Sequence, residues 1–180
     1  MITCILNRIR RLTSEDWPLI EERVLALENI FHENLRETGE TLKELFSSRD
    51  SLVIGAFRKN RLIGYMAGTP LNNRAELPGA GDDPELGSGN SIYIDSFVVD
   101  KEFQGKGVGR NIEKMFLKQA GKMGYRFASS HIREEAAASK LPYVLSRHPE
   151  WFGTGKTYLY YSQPVRRLLN IQLDKLRRFL

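Results

Sequence analysis

The stretch from Asp95 to Arg110, DSFVVDKEFQGKGVGR, constrains this chain more than any other. The apolar run Ser91 to Val99 leads into it. After it, Asn111 to Gln119 places Ile112, Met115, Phe116 and Gln119 on successive turns of a helix. The unit is strand, glycine-rich turn, helix. In such a unit glycines let backbone N–H groups approach an anion closely, and the helix that follows adds its unpaired N–H groups and the positive end of its dipole. A diphosphate is the ligand that suits this arrangement.

Spacing separates three phosphate-binding patterns. A Walker A loop requires Gly, four residues, then Gly-Lys-Ser/Thr, which Gly105-Lys106-Gly107 does not supply. The dinucleotide fingerprint G-x-G-x-x-G puts its third glycine on Arg110. The third pattern, Gln/Arg-x-x-Gly-x-Gly/Ala, is met by Gln104, Gly107 and Gly109, with Phe97, Val98, Val99, Asp100, Glu102 and Phe103 in the flanking strand-end, acidic and aromatic places. The run resembles the acetyl-CoA-binding motif of the GNAT N-acetyltransferase superfamily. Lys101 stands where that family commonly has proline. The substitution alters local stiffness and leaves the amide donors in place.

Composition sets the outer bounds. At 180 residues the chain suits one domain, read here as 1–162 followed by a basic amphipathic helix over 163–180. Hydrophobic and charged fractions are those of an ordinary globular protein, no apolar run is long enough to span a bilayer, and the N-terminus lacks the order of a signal peptide. Cytoplasmic location is the default expectation. Cys4 is the single cysteine, which excludes an internal disulfide, and His32, His131 and His148 show no ligand spacing, so no metal is expected. The net charge of +5 is compatible with nucleic acid, an anionic cofactor or a basic tail. Arg166, Arg167, Lys175, Arg177 and Arg178 place much of the excess at the end of the chain, which makes nucleic acid the lesser reading.

Taken in order, Ile2 to Ile9 reads as a strand and Arg10 to Thr13 as a turn. Ser14 is the expected cap of a helix running to about His32, with Trp17, Ile20, Val24, Leu27 or Ala26 inward. A second helix is expected over Glu40 to Ser47. Glu21, Glu22, Glu28, Glu33 and Glu37 form either a solvated acidic face or a surface for a cationic amine. Ser51 to Phe57 and Leu62 to Thr69 read as a hairpin about Arg58 to Arg61, and Pro70 to Asn90 as a long loop. Tyr125 to His131 reads as a strand, Arg133 to Lys140 as a short alanine-rich helix, and Lys156 to Ser162 as an aromatic-rich strand. Gly155-Lys156-Thr157 is rejected as a phosphate loop because position 150 is Glu. Pro164 to Leu180 carries Val165, Leu168, Leu169, Leu173, Leu176 and Leu180 on one helical side, which is expected to pack on its own domain or on a second copy in a homodimer.

The resemblance implies an α/β fold: a mixed, mostly antiparallel, twisted central sheet flanked by helices, here with the extra C-terminal helix. It implies an acetyl-CoA cosubstrate held by Gln104, Gly105, Lys106, Gly107, Val108, Gly109 and Arg110. The thioester would lie along Phe97, Val98 and Val99, with the Val98 amide as donor to its carbonyl. It also implies acetyl transfer to an amine acceptor of unidentified kind, by direct attack in a ternary complex. Asp95, on the same strand face as Tyr93 and Phe97, reads as the general base or as a structural hydrogen-bonding residue. The family's base on this strand falls at the place of Tyr93. Tyr143 matches by spacing the tyrosine that protonates the departing thiolate. Lys140 and Arg147 are further candidates for the nucleotide end. A CoA-binding module without catalysis is the alternative.

Overall fold

The computed structural model describes residues 8–137 and 143–165. Among these are seven strands: β1 (Arg8–Leu12), β2 (Leu52–Arg58), β3 (Arg61–Pro70), β4 (Ser91–Val99), β5 (Phe127–Arg133), β6 (Tyr143–His148) and β7 (Tyr158–Pro164). The α-helices are α1 (Trp17–Glu28), α2 (Gly39–Ser47) and α3 (Val108–Lys122). The strands form one sheet in the order β1-β2-β3-β4-β5-β7-β6. β4 pairs with β5 in parallel, whereas β1–β2, β2–β3, β5–β7 and β6–β7 are antiparallel. The expected mixed, mostly antiparallel sheet is therefore what the chain forms.

Two compact units divide the chain. The first holds the described residues up to Thr69 with Ile94–Phe116 and Phe152–Thr154. Its core joins Trp17, Ile20, Val24 and Leu27 of α1 and Leu42, Leu45 and Phe46 of α2 with Val53, Leu62, Tyr65 and Val98 from the strands. Trp17, Phe46 and Tyr65 meet edge to face, with centroids 5.1 and 5.6 Å apart. Leu27 rather than Ala26 takes the inward place. The second unit holds Pro70–Tyr93, Leu117–Trp151 and the described residues from Gly155 onward. Leu71, Ala80, Tyr93 and Tyr160 form its apolar cluster, so the 70–90 segment is a folded element. The Tyr160 hydroxyl donates to the buried Asp83 carboxylate at 2.6 Å.

Several expected boundaries move, each for a long-range reason. Arg10, Arg11 and Leu12 belong to β1 and pair with Gly55, Ile54 and Val53. The charge on Arg10 is accommodated by the face of Phe57, 4.9 Å away, and by Asp16. Asp16, not Ser14, caps α1; its carboxylate is occupied by Arg10 and by the Thr13 N–H rather than by a helix amide. α1 stops at Glu28 and not near His32, and the N–H groups of Ile30 and Phe31 turn back to Leu27 O and Glu28 O, three residues earlier. Glu28, four residues after Val24, lies on the inward stripe of α1, where its buried carboxylate accepts from the Tyr65 hydroxyl and, at 3.2 Å, from the Glu37 N–H. β2 and β3 meet at Lys59 and Asn60, both with positive φ (48° and 66°), the geometry of a two-residue hairpin turn.

The alanine-rich segment is not an α-helix in its described part. Arg133 closes β5 and Glu134–Ala136 make a single 3-10 turn. Tyr143 opens β6, a strand that the local sequence pattern does not indicate. β7 offers both of its edges, one to β5 and one to β6, and this pairing overrides local helix preference. Pro164 ends β7 rather than starting a helix, and the expected helix beyond Val165 lies outside the described residues, as do Cys4 and Lys140.

Candidate functional site

β4 spans the expected residues, and α3 begins at Val108, earlier than the apolar periodicity indicates, so that Gly109 and Arg110 are helical. Asn111 N–H reaches back to Gly107 O at 3.2 Å. By helix geometry the N–H groups of Val108, Gly109 and Arg110 precede that ladder and have no acceptor within the helix. Gly105 and Gly107 both adopt left-handed φ, 71° and 80°, which a side chain would strain. A Cβ built on either would have nothing within 4 Å. The space beside both glycines is therefore open, and a side chain at either would project into it. Gly109 does a different job: a Cβ there would lie 3.2 Å from the Phe97 ring, so glycine lets α3 lie close to β4.

The remaining residues brace this turn. Gln104 donates through Nε2 to Val99 O at 2.8 Å, which closes the turn onto the strand end. Phe103 is buried, and the cations of Arg58 and Lys106 lie over its ring at 5.4 and 5.7 Å. Lys106 and Arg110 are exposed.

The strand edge corrects one assignment. Asp100 N–H donates to Ile63 O at 2.9 Å, and residues along a strand alternate the edge to which their N–H and C=O point. Val98 therefore faces β3 as well. The position of its carbonyl agrees, since a Cβ on Gly64 of β3 would lie 2.7 Å from Val98 O. The amides of Phe97 and Val99 point to the opposite edge. The Val98 amide, expected as a donor, is thus turned toward β3.

Asp95 is half-buried on β4 and accepts from the Thr69 hydroxyl at 3.0 Å. Tyr143 is 59% exposed at the start of β6, opposite Ser162 of β7. Asp95 belongs to the first unit and Tyr143 to the second. Arg147 is engaged by Glu134 through two bonds of 2.9 Å.

Two clusters carry no signal in the local sequence. In the first unit, the Asp100 carboxylate accepts from Arg23 and, at 3.1 Å, from Arg61. In the second, His131 and His148 come together with Trp151. The His131 ring stacks on Trp151 at 4.0 Å and stands 5.5 Å from His148. Its Nε2 is 2.9 Å from Pro78 O, an atom that only accepts, so Nε2 carries the proton and Nδ1 accepts from the Tyr93 hydroxyl at 2.8 Å. Burial, assisted by His148 and opposed by the Pro78 carbonyl, lowers the His131 pKa to about 4. Alternation along β4 and β5 places Tyr93 and His131 on one face. Their meeting, however, depends on β5 lying beside β4. Among the described residues no group of three or more His, Cys, Asp or Glu is arranged to hold a metal ion, and no helix is long and apolar enough to cross a membrane.

An α/β protein with an open, glycine-lined turn between a central strand and a helix is thus defined. The sequence profile of the acetyltransferase (GNAT) family matches residues 6–141, and the chain belongs to that family. No curated protein matches it by sequence. Solved structures share its fold at low identity. One is the ribosomal-protein-S18-alanine N-acetyltransferase of Escherichia coli, with 13% identity, TM-score 0.66, and 89% of this chain and 94% of that one covered. Ard1 from Thermoplasma volcanium is similar at 15% identity and TM-score 0.64, with 88% and 97% covered. An aminoglycoside 6'-N-acetyltransferase complexed with coenzyme A is similar at 12% identity and TM-score 0.66, again with 88% and 97% covered.

Proposed function

We propose that this acetyltransferase takes acetyl from acetyl-CoA and delivers it to a primary amine by direct attack in a ternary complex. The reading rests on the turn from Gln104 to Arg110, where two left-handed glycines leave open space beside the chain just ahead of α3, whose first amides have no acceptor within the helix. Those amides, with Lys106 and Arg110 nearby, suit the CoA diphosphate. The pantetheine arm would run along the β4 edge that Phe97 and Val99 present. As the amine attacks the thioester carbonyl, negative charge develops on its oxygen, and an N–H of Phe97 or Val99 is the donor on that edge. The attacking amine must be unprotonated; Asp95, half-buried beside the Thr69 hydroxyl, is the proposed acceptor of its proton. The phenol of Tyr143, exposed on β6, is the proposed source of the proton taken by the thiolate.

Fold neighbours whose names specify ribosomal-protein alanine and aminoglycoside acceptors suggest amines of very different size, so the acceptor is to be found by screening. Titration calorimetry with CoA tests the cradle, and incubation with labelled acetyl-CoA and an amine panel tests transfer. Gly107→Val should weaken CoA binding about 5- to 30-fold, because the about 1–2 kcal/mol of strain of a β-branched residue at φ 80° is relieved by moving the turn, and restoring the binding geometry then costs that much. Absence of any heat with CoA for folded wild-type protein refutes the reading. Binding without transfer to any amine would leave a CoA-binding module.

A further inference from the structure

We propose that Asp100 is a positioning residue for the diphosphate turn, clamped by Arg23 of α1 and Arg61 of β3. The inference rests on the acetyl-CoA reading above. The Asp100 side chain is buried at the end of β4, and both of its oxygens are used. Oδ2 accepts from the Arg23 guanidinium and, at 3.1 Å, from Arg61. Oδ1 accepts from the Glu102 N–H at 3.1 Å, which caps the 3-10 turn Lys101–Phe103. The main chain of Asp100 is held as well: its N–H donates to Ile63 O at 2.9 Å, and its carbonyl accepts from Phe103 N–H at 2.8 Å. Arg23 is oriented by a second bond, from Nε to Leu62 O at 2.9 Å.

The contrast along the turn is what points to this role. From Asp100 to Gln104 the backbone is fixed by four bonds to carboxylate, strand or turn partners, and the Gln104 side chain adds a fifth to Val99 O. Three residues further on, at Gly107, nothing fills the space beside the chain. A flexible glycine pair makes a poor anion site unless its entry is rigid, since each unfixed amide must be ordered on binding. A buried carboxylate between two guanidiniums gives little stability over an apolar replacement. What it supplies here is direction, because it ties α1, β3 and the turn to one carboxylate.

The test compares CoA, which carries the diphosphate, with pantetheine, which does not, by NMR-detected titration of the wild-type chain, Asp100→Asn and Arg61→Gln. Asp100→Asn keeps an acceptor for Glu102 N–H and loses the charge that holds both arginines. The expected result is about a tenfold loss of CoA affinity for Asp100→Asn and about threefold for Arg61→Gln, with pantetheine affinity changed less than about twofold. Arg61 is half exposed, so its variant decides the matter if Asp100→Asn does not fold. Equal CoA binding by folded variants and wild type overturns the proposal, and so does an equal loss for both ligands, which marks a merely structural role. Failure of the wild type itself to bind CoA overturns the acetyl-CoA reading instead.

Discussion

Replacing His131 by glutamine removes a titrating group from the Tyr93–His131–Pro78 chain and keeps an acceptor for the Tyr93 hydroxyl and a donor for the Pro78 carbonyl. In the folded protein the imidazole resists protonation to about pH 4, against 6.5 when free, because burial on Trp151 beside His148 disfavours its cation. The unfolded chain therefore binds a proton as pH falls through 6.5 that the folded chain refuses until about 4. Stability contributed by this group is fully present above 6.5 and is lost as pH falls across that window. At about 1.4 kcal/mol per unit, the loss amounts to about 3 kcal/mol. Protonation of Nδ1 also breaks its acceptance from Tyr93, in the same direction. The assay is urea denaturation of wild type and His131→Gln at pH values from about 8 to about 4. Asp16 and Glu134, whose carboxyls are lowered by their arginine partners, and Glu28, raised by burial, titrate alike in both proteins and cancel in the difference. Wild type should lose about 3 kcal/mol relative to the variant between about pH 7 and pH 4. A pH-independent difference, or an imidazole NMR titration centred near 6.5, would refute the burial argument.

Two other substitutions probe the first unit. Gly64→Ala puts a Cβ 2.7 Å from Val98 O and 3.1 Å from Val99 Cα, both backbone atoms, so β3 or β4 must shift. A loss of about 1–3 kcal/mol is expected in urea, together with weaker CoA binding, and an unchanged denaturation midpoint would show that the strands yield freely. Glu28→Ala removes the acceptor of the Tyr65 hydroxyl proton and of the Glu37 N–H, for an expected loss of about 2 kcal/mol. Glu28→Gln should cost much less, since its Oε1 can accept from the Glu37 N–H while its Nε2 donates to the Tyr65 oxygen, without a buried charge; equal losses from the two would remove the hydrogen bonds from the explanation.

What the sequence alone determined was local. Glycines 105, 107 and 109, the apolar run of β4 and the periodicity of α3 lie within a short stretch, and their conformational demands are set by near neighbours. The strand, the turn and the family membership are therefore legible in the order of residues itself. The α2 boundary, expected at Glu40 to Ser47 and found at Gly39–Ser47, belongs to the same category. Tertiary structure decided whatever depended on which distant segments met. Asp100 and Arg23 are 77 residues apart, as are Tyr160 and Asp83, and composition does not announce either pair. Tyr143 became a strand residue because β7 had an edge to fill, the buried Glu28 carboxylate gained a donor because Tyr65 faced it, and Val98 turned its amide to β3 because Ile63 fixed the register. Torsional preference is written residue by residue, whereas hydrogen-bond partners and desolvation are settled only when the chain closes on itself.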